Sequence, residues 1–304
     1  MLDSGIRAFD LRYALDVTKT DLVFWHGPAL QSQRATLEAV MFAFYQWLED
    51  HGTEVVFLSF QYEGSEEMGN KDSTEVQMKL YEVLTSEAAK EFVLQKSGEL
   101  GTLGEARGKA VMLKRFDLDF LPEGNEAELP GLHFSPKQWT VNGRAIEISY
   151  NPNINVDSTP TSPDPISAAK EEGVAYIEDY YRPSIPSTST SPLKDNIEAK
   201  FSAMENHLTL SKDYRRHGSL FWTFTSGTNT RRGEEGFSVT PELMAKGGLD
   251  ADGTVVEGVN SRLLEFLQHE EFGHGEWRLG IVMIDFFDEE ADDLVALMLG
   301  LDGD

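Results

Sequence analysis

The 304-residue sequence predicts an α/β fold of the TIM-type (β/α)8 class, distorted or incomplete, and three observations predict it. Apolar runs of strand length alternate with amphipathic helical segments along nearly the whole chain, which is typical of parallel strands joined by crossover helices. The strands are apolar throughout instead of alternating, as expected when both faces of a sheet are covered. About seven such strands occur, close to the eight that a closed barrel contains.

Each predicted strand is a short run rich in β-branched and aromatic residues, bounded by charged or turn-forming residues. The first two, 5–12 and 21–26, come before any helical segment. The remaining strands are predicted at 54–60, 109–115, 173–179, 218–224 and 280–285.

Helices are predicted where apolar residues recur three and four positions apart. The clearest is 36–50, in which Met41 and Phe44 share one face, Thr36 is the N-cap and Gly52 follows the end. The other predicted helices are 77–84, 87–94, 195–210, 259–269 and 289–299.

Three segments interrupt this alternation. Residues 151–165 and 182–192 are rich in Pro, Ser and Thr and are interpreted as surface loops. Residues 226–254 are rich in Gly and charge and are interpreted as a long loop insertion over one barrel end. Strand-like and helical segments resume after each interruption, so we predict a single domain over 1–304.

The composition limits the possible partners. The net charge is -26, from 52 acidic and 26 basic residues, and a field of this sign repels nucleic acid and anionic lipid. We therefore expect no nucleic-acid partner, at most weak peripheral membrane contact, and a soluble monomer. The sequence has no cysteine, no apolar run of about 20 residues and no secretory signal, so it leaves the compartment open.

Charged or titratable side chains close five of the predicted strands: Arg12, His26, Arg115, Asp179 and Asp285. The carboxyl ends of parallel barrel strands lie on one face, so these residues are predicted to converge. Arginine offers a planar fork of donors to phosphate oxygens, and histidine can donate a proton near neutral pH. The set predicts a site for a phosphate ester, although each member also has a structural interpretation.

The other histidines are interpreted as structural: His51, His133, His207, His217, His269 and His274.

Residues 5–12 followed by 26–28 resemble the bacterial and fungal phosphatidylinositol-specific phospholipase C family. Residues 103–116 resemble the family's central strand, 177–181 its inositol-binding segment, and 280–287 its last barrel strand. The matches follow the family's order along nearly the whole sequence.

The resemblance implies metal-independent cleavage of a phosphatidylinositol-like phosphodiester through a cyclic inositol phosphate, without a cofactor. A histidine base takes the proton of the inositol 2-hydroxyl, which attacks phosphorus, and a second histidine protonates the leaving oxygen. By position, Arg12 resembles the phosphate-binding arginine, His26 the general acid and Asp285 the partner of the base, while Asp10 and Glu63 hold Arg12. The residues implied to contact the inositol ring are Arg115, Asp179 and Tyr181.

The sequence departs from the family in two places. The family's first strand ends in a Gly-Thr-His-Asp/Asn-Ser motif upstream of the position of Gly5, and this sequence does not contain it. We therefore expect the first barrel strand and the general base to be missing, and catalysis by this chain to be impaired. Gln61 stands where some bacterial members have a lysine that contacts inositol, which leaves the head group open.

Two alternatives remain. An inactive barrel that binds an inositol phosphate or a protein partner would need Arg12, Arg115 and Asp179 but no base. A glycerophosphodiesterase with a divalent metal on Asp10 and Glu63 is disfavoured, because Arg12 already supplies a positive charge there. Contact with lipid would be marked by exposed aromatic residues on the loops, for which the candidates are Trp25, Tyr180, Tyr181 and Phe286.

Overall fold

The computed structural model forms two compact units, which are described separately. The N-terminal unit comprises Arg7–Gln138 with Tyr150, and the C-terminal unit comprises Met1–Ile6, Trp139–Ser149 and the described residues from Gly173 onward. The structure describes residues 1–65, 69–150, 173–186, 188–213, 216, 218–230, 237–269, 278–287 and 292–300.

The described residues of the N-terminal unit form one sheet and five helices. Its strands are β1 (Ala8–Leu15), β2 (Leu22–His26), β3 (Ala29–Leu30), β4 (Val55–Tyr62), β5 (Lys109–Arg115) and β6 (Leu132–His133). Its helices are α1 (Leu37–Asp50), α2 (Thr74–Leu84), α3 (Glu87–Phe92), α4 (Leu103–Ala106) and α5 (Asn125–Glu128). The strand order is β3-β2-β1-β4-β5-β6.

Strands β1, β4, β5 and β6 run parallel, as the sequence predicts, but β2 runs antiparallel to β1. Only residues 16–21 connect β1 to β2, and a parallel crossover needs a dozen residues or more. The expectation that His26 reaches the other strand ends through a parallel β2 is therefore wrong. Strand β1 also continues past Arg12 to Leu15.

The helix predicted at 36–50 is confirmed as α1. The Thr36 hydroxyl accepts a hydrogen bond from the Ala39 N–H at 3.1 Å and caps the helix. Met41, Phe44 and Leu48 are buried at helical spacing. Helix α2 begins three residues before its predicted start. Val76, Leu80 and Leu84 are buried at four-residue spacing, so the apolar face extends into the first turn.

Strands β4 and β5 are adjacent inner strands of the N-terminal sheet. Val56, Leu58 and Phe60 of β4 are fully buried, as are Ala110 and Met112 of β5. The remaining residues of both strands are buried or only partly exposed. This is expected for parallel strands that are covered on both faces. The predicted bounds 109–115 match β5.

The described residues of the C-terminal unit form a four-stranded sheet, a short hairpin, four α-helices and a 3-10 helix at Leu2–Ser4. Its strands are β7 (Ile146–Ser149), β8 (Val174–Glu178), β9 (Leu220–Phe224), β10 (Gly247–Leu249), β11 (Val255–Glu257) and β12 (Ile281–Met283). Its helices are α6 (Pro192–Leu210), α7 (Pro241–Lys246), α8 (Val259–His269) and α9 (Asp292–Met298). The sheet order is β12-β9-β8-β7, parallel except for β7.

Several sequence expectations fall in this unit. Helix α8 has its predicted bounds, and the predicted helix 289–299 is described from Asp292 as α9. The segment 226–254 was predicted to be a long loop, but its described part contains helix α7 and strand β10. Strand β10 pairs with β11. The predicted loop 151–165 lies outside the described residues.

Helix α6, with 19 residues, is the longest described helix. Its buried residues Leu193, Ile197 and Met204 join Val259 and Leu263 of α8 in one apolar cluster. In the part of the chain that the structure describes, no helix has both the length and the apolar character needed to cross a bilayer.

Candidate functional site

Polar residues occupy matching positions on three parallel strands of the N-terminal sheet. Arg12 of β1 lies opposite Gln61 of β4, which lies opposite Arg115 of β5. Two residues earlier, Asp10 lies opposite Ser59. Because residues two apart in a strand share a face, all five side chains belong to one face of the sheet.

Asp10 is at the centre of this group. Its Oδ2 accepts a hydrogen bond from Arg12 Nε at 2.7 Å, and its Oδ1 accepts one from the Ser59 hydroxyl at 2.8 Å. Arg115 Nη1 lies 3.4 Å from the same Oδ1. One carboxylate therefore fixes two guanidinium groups that come from positions 103 residues apart (115 − 12).

The two arginines also determine the ionisation of Asp10. Burial by itself would raise the pKa of Asp10, but the charges of Arg115 and Arg12 and the hydrogen bonds from Arg12 and Ser59 lower it below 3.8. Asp10 is therefore an anion at neutral pH. The Arg12 side chain is 30% exposed, so part of its guanidinium group reaches solvent.

Gln61 lies between the two arginines in the register of the sheet. Its Oε1 is buried and, among the described residues, has no hydrogen-bond partner. A buried acceptor without a donor costs about 1–3 kcal/mol.

Glu63 links the end of β4 to the turn after His26. Its Oε1 accepts a hydrogen bond from the Gly27 N–H at 2.8 Å, and its Oε2 lies 3.7 Å from Arg12 Nη1. His26 is exposed at the end of β2, where Gly27 and Pro28 turn the chain into β3. The structure therefore joins Arg12 and the His26 turn through one carboxylate.

The predicted site residues Asp179, Tyr181 and Asp285 belong to the C-terminal unit. Asp179 is buried directly after β8, and its Oδ2 accepts a hydrogen bond from Trp139 Nε1 at 2.8 Å. The Trp139 ring contacts Trp222 edge-on at a centroid distance of 5.4 Å. The carboxylate of Asp179 is thus oriented by an indole that is itself held by a buried aromatic residue.

The backbones of the other two residues are anchored. The Tyr181 carbonyl accepts a hydrogen bond from the Thr228 N–H at 2.7 Å. Asp285 lies two residues after β12, and its carbonyl accepts a hydrogen bond from Asn260 Nδ2 at 2.9 Å.

Sequence reasoning missed Ser59 and Trp139. Ser59 could have been identified from the sequence, because it is a hydroxyl residue inside an apolar strand, two positions before Gln61. Nothing in the sequence indicates the contact of Trp139 with Asp179, because the two residues are 40 positions apart.

No protein-family model matches the sequence, and no curated protein matches it. Solved structures do match. A double mutant of the phosphatidylinositol-specific phospholipase C from S. aureus superposes with a TM-score of 0.64 and 15% identity, covering 97% of this chain and 80% of that one. The phosphatidylinositol-specific phospholipase C from Listeria monocytogenes gives a TM-score of 0.57 and 17% identity, covering 98% and 79%.

At these identities the likeness establishes the fold. It confirms the predicted α/β fold of TIM type. In the described residues the strands of that fold lie in two larger sheets and one short hairpin. The chain therefore has the fold of the bacterial phosphatidylinositol-specific phospholipases C.

Proposed function

We propose that the chain binds a phosphatidylinositol-like phosphodiester and cleaves it as a phosphodiesterase of the phosphatidylinositol-specific phospholipase C type. The observation that carries the proposal is the guanidinium group of Arg12, fixed by Asp10 beside Arg115. The fold of the solved phospholipases C supports it.

Arg12 is the proposed phosphate ligand. Its Nε bond to Asp10 fixes the plane of the guanidinium group before a ligand arrives. A fixed cation in a partly dry site stabilises the charge that develops on phosphoryl oxygens without the cost of reorienting solvent. Hydrogen bonds to a charged group contribute about 1.5–3 kcal/mol, or roughly 10- to 100-fold in affinity.

His26 is the proposed general acid. The inositol 2-hydroxyl oxygen bonds to phosphorus, the bond from phosphorus to the glycerol oxygen breaks, and that oxygen takes a proton from the His26 imidazolium. The 2-hydroxyl proton passes to water acting as the base, because the sequence does not contain the family's histidine motif, and we therefore expect cleavage by this chain to be impaired. Exposure of His26 at the end of β2 allows a leaving group to approach it. Such a proton transfer contributes about 10² to 10⁴ in rate.

For the C-terminal unit we propose separately that Asp179 and Tyr181 contact an inositol ring and that Asp285 is the partner of the base. Trp139 positions the Asp179 carboxylate through its indole N–H. Replacing Trp139 by Phe removes that donor and keeps an aromatic ring, so it tests the positioning role by a weaker affinity for inositol.

A second candidate function is binding of an inositol phosphate without cleavage. One observation favours it: the cluster of Asp10, Arg12 and Arg115 is complete without a general base. A metal held by Asp10 and Glu63 is disfavoured, because the Arg12 guanidinium contacts both carboxylates.

The binding proposal is tested by titrating the chain with myo-inositol 1-phosphate. Arg12→Ala is compared with Arg7→Ala, a matched control. Arg7 Nε contacts Glu54 at 2.8 Å and the Arg7 side chain is 29% exposed, values close to those of Arg12. We expect Arg12→Ala to weaken binding about 10- to 100-fold and Arg7→Ala to leave it unchanged. Equal affinities of the two variants would refute the proposal.

Cleavage is tested by phosphorus NMR of phosphatidylinositol incubated with the chain and with His26→Ala. A cyclic inositol phosphate signal that is lost in His26→Ala supports the phosphodiesterase. Binding of inositol 1-phosphate without any such signal supports the second candidate. A signal unaffected by His26→Ala would reject the role of His26, and a signal unaffected by Arg12→Ala would reject the role of Arg12.

A further inference from the structure

A second group of polar side chains lies in the loop after β5 and the elements that follow it. Asp117 follows β5, Glu126 belongs to α5 and His133 ends β6. One ligand atom of each residue lies within 4.8 Å of the other two. Such spacing lets one ion reach all three donors, and none of these residues belongs to the site proposed above.

The surroundings of His133 distinguish this group from an ordinary acidic cluster. Its Nε2 lies 3.1 Å from both Asp117 Oδ1 and the Phe116 carbonyl, and its Nδ1 lies 3.3 Å from Glu126 Oε1. Every one of these partners is an acceptor. The ring is therefore surrounded by oxygen atoms that could join it in coordinating a cation.

The two carboxylates are held in place by their other oxygens. Glu126 Oε2 accepts a hydrogen bond from the Leu118 N–H at 3.0 Å, and Asp117 Oδ2 accepts one from the Ser135 hydroxyl at 3.2 Å. The donors are thus oriented before an ion arrives, and all three residues are partly exposed, which gives an ion access.

We propose that Asp117, Glu126 and His133 bind a divalent transition-metal ion of the Zn²⁺ class. One imidazole nitrogen and two carboxylate oxygens suit zinc, which takes three protein ligands and a water in open sites. Mg²⁺ and Ca²⁺ prefer oxygen ligands alone. On binding, the ion takes the lone pair of one ring nitrogen, while the other nitrogen donates its N–H to an acceptor.

Lys137 competes with the ion. Its ammonium group lies 3.0 Å from Asp117 Oδ2 and 2.8 Å from Asp119 Oδ2. The Lys137 side chain is 70% exposed, so it can move into solvent when an ion binds. Lys114 is buried nearby, and its charge also acts on Glu126. Removing the Lys137 charge should therefore strengthen metal binding, an effect that damage to the fold would not produce.

The test is titration of the full chain with Co²⁺, followed by its visible absorption, and then displacement of Co²⁺ by Zn²⁺. We expect one equivalent of Co²⁺ with an imidazole-type spectrum. His133→Ala should weaken binding at least about 10-fold, because even partners outside the ligand shell account for 10- to 100-fold. Lys137→Met should tighten it. Asp117→Asn should weaken it while retaining the side-chain volume.

The matched control is His269→Ala. His269 Nε2 lies 3.6 Å from Glu265 on a helix surface, and the His269 side chain is 78% exposed, so it represents the scattered binding expected of an acidic protein. We expect His269→Ala to leave the spectrum and the affinity unchanged. The proposal is overturned if His133→Ala and His269→Ala give the same affinity, or if Lys137→Met weakens binding. Arg12→Ala should retain the metal, so the outcome is independent of the proposed function.

Discussion

The buried ion pair between Glu178 and Lys200 gives the sharpest test of how the C-terminal unit holds together. Lys200 Nζ lies 2.8 and 3.0 Å from the two carboxylate oxygens of Glu178, and both side chains are fully buried. The Tyr180 N–H also donates to Glu178 Oε1 at 2.9 Å. The pair connects the middle of α6 to the end of β8, directly before Asp179.

Removing either partner leaves a charge buried without compensation. We expect Glu178→Gln and Lys200→Met each to lower the free energy of unfolding by about 3–5 kcal/mol. The double variant removes both charges, and the amide oxygen that Glu178→Gln introduces can still accept the hydrogen bond from the Tyr180 N–H. The double variant should therefore cost no more than either single variant, which corresponds to a coupling energy of at least about 3 kcal/mol.

The assay is unfolding in guanidinium chloride at pH 7, followed by tryptophan fluorescence and by circular dichroism, because two compact units need not unfold together. The control cycle uses Lys194 and Glu198, an exposed pair at 3.7 Å on the same helix. Its coupling should be at most about 0.5 kcal/mol. If the double variant at 178 and 200 loses the sum of the single effects, the pair does not act as described.

Three further predictions concern the N-terminal unit. Burial lowers the pKa of Lys114 to about 8 from 10.5, so the unfolded chain binds more protons between these values and stability rises with pH across that window. Lys114→Met should abolish this rise, as measured by urea unfolding at a series of pH values. At pH 7 it should raise the unfolding free energy by about 2 kcal/mol, because it removes a burial cost of about 3 kcal/mol and loses one hydrogen bond. Because the pKa of Asp10 is lowered in the folded chain, its carboxylate contributes stability above about pH 4, and this contribution is lost as the pH falls through the folded-state pKa. Asp10→Asn should therefore destabilise the chain at pH 7 and destabilise it less at pH 3, as measured by thermal unfolding. Gly131 has φ +96°, and a Cβ there would lie 2.3 Å from the Met112 carbonyl oxygen. Gly131→Ala should therefore lower the unfolding free energy by roughly 3 kcal/mol. The control is Gly124→Ala, at φ +107° with no atom near the added Cβ, which should show only the smaller cost of the backbone conformation.

Elements with a strong local signal were predicted well. Helix α1 is specified by a capping threonine and an apolar face at 3.6-residue spacing, and α8 is placed within the same bounds as its predicted segment. Strand β5 was recognisable because it contains the uninterrupted apolar run 110–113, as expected of a strand that is buried on both faces. The short elements β3, β6 and α5 have too few residues to form a periodic pattern, so their sequences carried no signal.

Pairing between strands was harder to predict. The segment 21–26 was recognised as a strand, but its direction depends on the connection and on the neighbour it joins. Six residues separate β1 from β2, and this length was the available signal for an antiparallel pair. His26 consequently approaches Arg12 through the Glu63 carboxylate instead of through a shared strand end.

The sequence by itself determined the α/β class and most long elements, and its resemblance to the family placed Asp10 beside Arg12, where the structure forms their hydrogen bond. Only the tertiary structure decided that Ser59 and Arg115 meet the same carboxylate, and that Asp117, Glu126 and His133 face one another. Periodicity and capping act over a few residues and can be read locally. Contacts between distant side chains depend on strand register and loop conformation, which are set by burial of the whole core.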